Sequence, residues 1–196
     1  MAIPMTAETH WPRPPVDGYT ADDLDRLPDL PAHTELIDGG LVFVSPQKRR
    51  HNLANRRIED GLRAAVPSWA FVGREESIWI GRRQRPEPDL LVVRLEAIDD
   101  DLDRTYYPAD AVVLAVETVS PESEIRDRER KPVLYAEAGI EHFWLVEHVD
   151  GNGLSVATFV LDRDARRYVP TGVHTGKLQV DVPFPIEIDL TDITRR

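Results

Sequence analysis

The stretch Val112-Val113-Leu114-Ala115-Val116-Glu117-Thr118-Val119 constrains the fold more than any other part of the chain. Its apolar run is too short to cross a membrane and too β-branched for a helix, so it predicts a strand covered on both faces, in the dry centre of a sheet. Glu117 falls in its last third. A lone ionised carboxylate there would cost several kcal/mol even after relaxation, so it must be neutralised, paired with a cation or bound to a metal. Which of these holds decides what the protein does.

A chain of 196 residues suits one core with additions. Residues 1–18, with Pro4, Pro12, Pro14 and Pro15, read as an N-terminal arm; 19–150 read as the core, and 151–196 as a C-terminal β extension of the same domain. With no cysteine there is neither a disulfide framework nor a thiolate metal site. No apolar stretch approaches the roughly 20 residues of a membrane helix, and the start lacks the basic-then-apolar order of a signal peptide. The expectation is a cytoplasmic protein without membrane contact. Twenty-four Lys+Arg against 35 Asp+Glu leave a net charge of −11, which excludes a protein that coats nucleic acid by charge alone. The charges are sorted, however: KRRHNLANRR (48–57) carries five basic residues and no acidic one, whereas IDDDLD (98–103) is acidic.

Thr20 and Asp23 predict a capped short helix over TADDLDRL, with Leu24 and Leu27 inward. HTELIDGGLVFVS predicts a hairpin turning at Asp38-Gly39. Between Ser45 and Pro67, Leu53, Ile58, Leu62 and Ala65 recur at helical spacing, with the arginines on the other faces. Strands are predicted over WAFVGREESIWIG, DLLVVRL and EHFWLVEHV, and a helix over KPVLYAEAG with Pro132 first and Gly139 as its C-terminal cap. Four short antiparallel strands follow Gly151.

A second carboxylate, Asp89, opens the apolar run after Pro88. On a period of two, Asp89 shares a face with Leu91 and Val93, and Glu117 shares one with Val113, Ala115 and Val119. If the two strands are neighbours, one register brings the two carboxylates together, an arrangement unlikely as mere structure and suited to a divalent cation. Magnesium, with manganese as the alternative, needs one or two carboxylates plus waters and phosphate oxygens. Lys131, placed before Pro132, is expected outside the helix at its mouth, where it would balance the carboxylates and orient a water or stabilise charge on phosphorus. Glu35 on the hairpin is a candidate to support the cluster.

These residues carry a resemblance. ELIDGGLV with Glu35, His51, PDLLVV with Asp89, VETVSPES with Glu117 and DRERKPVLYAEAGIEHFWLVE with Lys131 together resemble the small restriction-endonuclease family of the PD-(D/E)XK nuclease superfamily. The likeness runs from about Glu35 to Glu147. It implies a restriction-endonuclease-like α/β core with a mixed central sheet flanked by helices, and magnesium-dependent hydrolysis of DNA phosphodiesters with Asp89 and Glu117 as metal ligands. One position departs from the pattern: the lysine that usually lies two residues after the acidic one is here Val119, so a displaced lysine is required, with Lys131 the candidate.

Plainer readings stand beside these. Glu117 would be structural if paired to Arg126 or Arg128, and Lys131 if it only met Asp127 four residues earlier. Lys48, Arg49, Arg50, His51, Arg56 and Arg57 are candidates for phosphate contact, or equally the solvated face of a helix. The aromatic residues Trp69, Trp79, Tyr135, Phe143 and Trp144 read as core or interface, and His142 and His148 lack the spacing of a zinc site. Cutting both strands of a duplex calls for two sites, hence a symmetric homodimer whose interface is formed by the aromatic strands or the C-terminal sheet. The rival function is a nuclease fold that no longer cleaves and binds nucleic acid or protein.

Overall fold

The computed structural model describes residues 13–98, 101 and 103–194. Most of the expected N-terminal arm, residues 1–12, lies outside them. Among the described residues, twelve strands and three α-helices follow in the order α1 (Asp23–Arg26), β1 (Thr34–Ile37), β2 (Gly40–Phe43), α2 (Arg49–Ala65), β3 (Ala70–Arg74), β4 (Ser77–Trp79), β5 (Leu90–Arg94), β6 (Tyr106–Pro108), β7 (Val112–Thr118), α3 (Lys131–Glu137), β8 (His142–His148), β9 (Leu154–Asp162), β10 (Arg167–Thr175), β11 (Lys177–Val180) and β12 (Ile186–Asp189).

Six of the strands form one sheet in the order β10-β9-β8-β7-β5-β3. Only β7 and β8 run parallel, because the helical segment between them carries the chain back across the sheet; the other pairs are antiparallel. Every residue of β7 is buried, as its continuous apolar sequence demands of a central strand. On one face α2 sets Ala54, Ile58 and Leu62 against Leu90, Leu114, Val116 and Trp144, and the β11–β12 hairpin closes that side with Leu178, Ile186 and Ile188. On the other face Tyr135 of α3 packs with Leu91, Ala115, Phe143 and Leu145. The C-terminal segment therefore contributes both sheet strands and part of one core layer. Gly61 permits the helix to meet the hairpin closely, since a Cβ there would lie 2.4 Å from Cγ1 of Ile188.

Local chemistry explains the joints. Asp38 and Gly39 both adopt positive φ, the two-residue hairpin turn suited to β1 and β2. Thr20 gives its backbone N–H to the Asp23 carboxylate at 2.7 Å, fixing the start of the short first helix. At the end of α3, Gly139 (φ +84°) lets Ile140 N–H reach the Tyr135 carbonyl at 3.0 Å and its own N–H reach Ala136 at 3.1 Å, a Schellman closure.

Four expectations change. Lys131 is helical (φ −60°, ψ −43°) although it precedes proline: a π-helical turn, Arg126–Arg130, runs directly into α3, and its wider ladder bonds Lys131 N–H to Arg126, accommodating the Pro132 ring without a break. Strict alternation fails near the start of β7, where the pairing with β5 shifts between Val92 and Val93 and sends Val113 into the α2-side core, away from Ala115. The helix after Ser45 begins only at Arg49. Finally, the aromatic strand β8 lies between β7 and β9 with Phe143 and Trp144 fully buried, so it is core and cannot be a dimer interface.

Candidate active site

The chemistry gathers where β7 emerges beside β5. The ladder between them ends at the pair Leu90 and Val116, and Asp89 and Glu117 are the next residues outward on the two strands. The two side chains then part. Glu117 turns to the α3 side, where Tyr135 donates its hydroxyl to Oε1 at 2.6 Å and Lys131 Nζ approaches both oxygens at 3.0 and 3.1 Å. The same ammonium lies 2.7 Å from Glu35 Oε1 and donates to the Glu87 carbonyl at 3.2 Å, so each of its three protons has an acceptor. Asp127 is 3.8 Å away, the i,i+4 pair expected of a plain helix but the longest of its contacts. Neither Arg126 nor Arg128 is the partner of Glu117; Arg128 pairs with Glu147 and Glu124 instead.

Asp89 turns to the α2 side. Its Oδ2 accepts the Thr118 backbone N–H at 2.7 Å, and its Oδ1 accepts from Asn55 at 2.8 Å and faces His51 Nε2 at 3.3 Å. His51 Nε2–H also donates to the Thr118 carbonyl at 3.0 Å, and Asn55 accepts the Thr118 hydroxyl at 2.6 Å. Asp89 is thereby fixed by the end of β7 and by one face of α2. Glu35 is placed by its hairpin and by the Glu87 N–H, which it accepts at 2.9 Å; Arg130 pins that hairpin by gripping Asp38.

Burial and like charge govern the protons. Burial drives the Glu117 carboxyl well above the ordinary range, against Lys131, with Asp127, Asp89 and Glu35 adding repulsion. Burial lifts Asp127 to about 6 and Glu87 to about 7, the latter despite its 2.6 Å bond to His33. Asp89 goes the other way: burial opposes its charge, but His51, the Thr118 N–H and Lys131 outweigh it. Lys131, though desolvated, is held protonated by Glu117, Glu35 and Asp127. It is a fixed cation, not a base.

Glu35, Glu87, Asp89, Glu117, Asp127 and Lys131 all line one cleft of about 570 Å³. Among the described residues no three carboxylates or imidazoles converge as a ready-made cage. The donor chemistry nonetheless fits a hard divalent cation. Asp89 and Glu117 offer carboxylate oxygens, and Glu35 Oε2 and Asp127 Oδ1 are buried with no hydrogen-bond partner.

The basic run does not form one patch. Helical geometry sends Lys48 to the mouth of the cleft, while Arg49, Arg56 and Arg57 border a separate hollow against the β12 end of the chain. Arg57 donates to the Asp192 carbonyl at 2.9 Å, Arg56 lies 3.8 Å from Asp60, and Arg50 donates to the Val149 carbonyl at 3.1 Å. His51, expected beside these on the surface, is buried in the wall of the cleft against Asp89. Four residues of the site were given no role in it by the sequence: Tyr135, read there as core or interface, and Glu87, Asn55 and Thr118. Two had a readable signal, since Tyr135 lies four residues after Lys131 and Asn55 four after His51, on the same helix faces.

A mixed sheet whose neighbouring central strands bring Asp89 and Glu117 to one cleft, with a lysine from the adjoining helix against Glu117, is a restriction-endonuclease-like nuclease architecture. The chain belongs to the Uma2 family, described as "Putative restriction endonuclease", whose model matches residues 21–192. The fold is shared with the crystal structure of "a putative nuclease belonging to DUF820" from Anabaena variabilis, at a TM-score of 0.63 and 16% identity, covering 84% of this chain and 89% of that one. No match was found among curated proteins. No helix among the described residues is long and apolar enough to cross a membrane.

Proposed function

We propose that this protein is a metal-dependent endonuclease that hydrolyses DNA phosphodiester bonds in the carboxylate cleft. The observation that carries the reading is that Asp89 and Glu117 line one cleft from the ends of adjacent strands, with Lys131 between Glu117 and Glu35. Asp89 and Glu117 are the ligands of magnesium, or of manganese in its place, and Glu35 supports them with its unpartnered oxygen. The cation, when bound, polarises the phosphate and lowers the pKa of a water. The chain's own part is to keep these carboxylates aimed: Tyr135 and Lys131 orient Glu117, while Asn55, His51 and the Thr118 N–H orient Asp89. The lysine displaced from position 119 reaches the cluster from the helix and supplies positive charge without giving up its proton. A symmetric homodimer would provide the two sites needed for a double-strand break.

The test is magnesium binding measured by calorimetry and by the rise in melting temperature. Wild type should be stabilised by magnesium, and Asp89→Asn and Glu117→Gln should each abolish the effect. A wild type indifferent to magnesium, with Asp89→Asn more stable than it, would instead make the cluster a structural pair in a fold that only binds.

A further inference from the structure

The cleft poses a problem for its own substrate, because a phosphate entering it meets a surplus of carboxylates. A cation that offsets this must be free of other obligations, so the cations lining the cleft can be ranked by what already holds them. Lys131 is committed to Glu35, Glu117 and the Glu87 carbonyl. Arg74 bridges Glu59 and Glu75 at 3.4 Å each. Lys48 faces Glu122 at 3.7 Å. Arg126 has no carboxylate partner among the described residues: its Nη1 makes a 3.4 Å bond to the Glu122 carbonyl, and its Nε is buried without an acceptor. A buried N–H left unpaired is costly, and an arriving acceptor recovers that cost. Arg126 also sits on the π-helical turn that leads into Lys131, one residue before Asp127, which places its backbone beside the cluster.

We propose that Arg126 is a substrate-binding residue that grips a backbone phosphate of the nucleic-acid strand, setting the scissile phosphodiester against Asp89 and Glu117. The inference rests on the nuclease reading of the cleft. The planar guanidinium suits a phosphate because it presents two parallel N–H donors to two oxygens. In this role Arg126 swings its edge from the Glu122 carbonyl toward the strand and exchanges one long bond for a charge-assisted pair.

The experiment is fluorescence anisotropy of a labelled DNA oligonucleotide in calcium, over a series of salt concentrations, with the full chain. Arg126→Gln and Arg126→Lys are compared with Arg163→Gln, an exposed arginine paired with Glu141. Arg126→Gln should weaken binding about tenfold and lower the slope of log affinity against log salt by about one ion. Its melting temperature should stay that of the wild type, and Arg126→Lys should restore part of the affinity but not all of it. Affinity and salt slope equal to those of Arg163→Gln would overturn the proposal, as would a protein that binds no oligonucleotide. DNA bound through Arg126 but cut in no divalent metal would uphold the grip and refute hydrolysis alone.

Discussion

Replacing Lys131 with methionine should be costly, and costly in a pH-dependent way. The residue is 4% exposed, and among the described residues its ammonium is the one cation set directly between Glu35 and Glu117. Methionine preserves most of the volume, so packing changes little; what is lost is the charge. Removing one partner of a buried pair leaves uncompensated carboxylates and costs about 3–5 kcal/mol, which for a domain of this size lowers the melting temperature by roughly 6–20 °C. The carboxylates can escape by taking up protons. With the lysine gone, Glu117 and Asp127, already lifted by burial, rise further, so the penalty should shrink toward about pH 5 and reach its full value near about pH 8. Urea denaturation at both pH values measures this, with an unchanged m-value showing that the same surface unfolds. Adding Glu35→Gln to the variant should return part of the loss at the higher pH. A penalty under about 1 kcal/mol that does not vary with pH would refute the reasoning, because Lys131 would then not be neutralising buried charge.

The metal-free wild type should itself lose stability as pH rises from about 4 to 7. Glu87, at about 7, Asp127, at about 6, and Glu117, lifted further, hold protons in the folded chain that the unfolded chain has already released, and the raised His33 acts in the same direction. Together they outweigh His148, pulled down to about 4 by burial, and His142, also lowered, which add stability over the interval. Melting temperatures rising over that interval would contradict the burial assigned to these carboxyls. Gly61→Ala gains about 1 kcal/mol of helix propensity but drives a methyl into Ile188, and overpacking of this kind costs about 1–3 kcal/mol. Its denaturation midpoint should fall; a rise would show that α2 and β12 are not in close contact.

What the sequence disclosed and what it hid follow from the range of the interactions. The Asp38-Gly39 turn, the Gly139 cap and the buried strand around Glu117 are set by neighbours a few residues apart, and they were legible. The pairing of β5 with β7 could be stated only as a condition, because register depends on contacts across the sheet. The β7 bulge broke the period of two at Val113 for the same reason. Lys131 was misplaced outside the helix because pre-proline sterics were weighed without the π-helical turn, which relieves them. The basic run looked like one patch in linear order and dispersed once wound on a helix. His51 shows the limit most clearly: among arginines it reads as surface, yet only the end of β7 and Asp89, distant in sequence, make it part of the cleft wall.

The central claim is that Asp89 and Glu117 form a hydrolytic metal site, and the direct measurement is cleavage of supercoiled, linear and single-stranded DNA in magnesium, manganese or EDTA. Wild type should cut in metal and not in EDTA, and Glu117→Gln and Asp89→Asn, folded and at equal concentration, should leave the DNA intact. No cleavage by folded, metal-loaded wild type, or cleavage that persists in Glu117→Gln, would contradict the account.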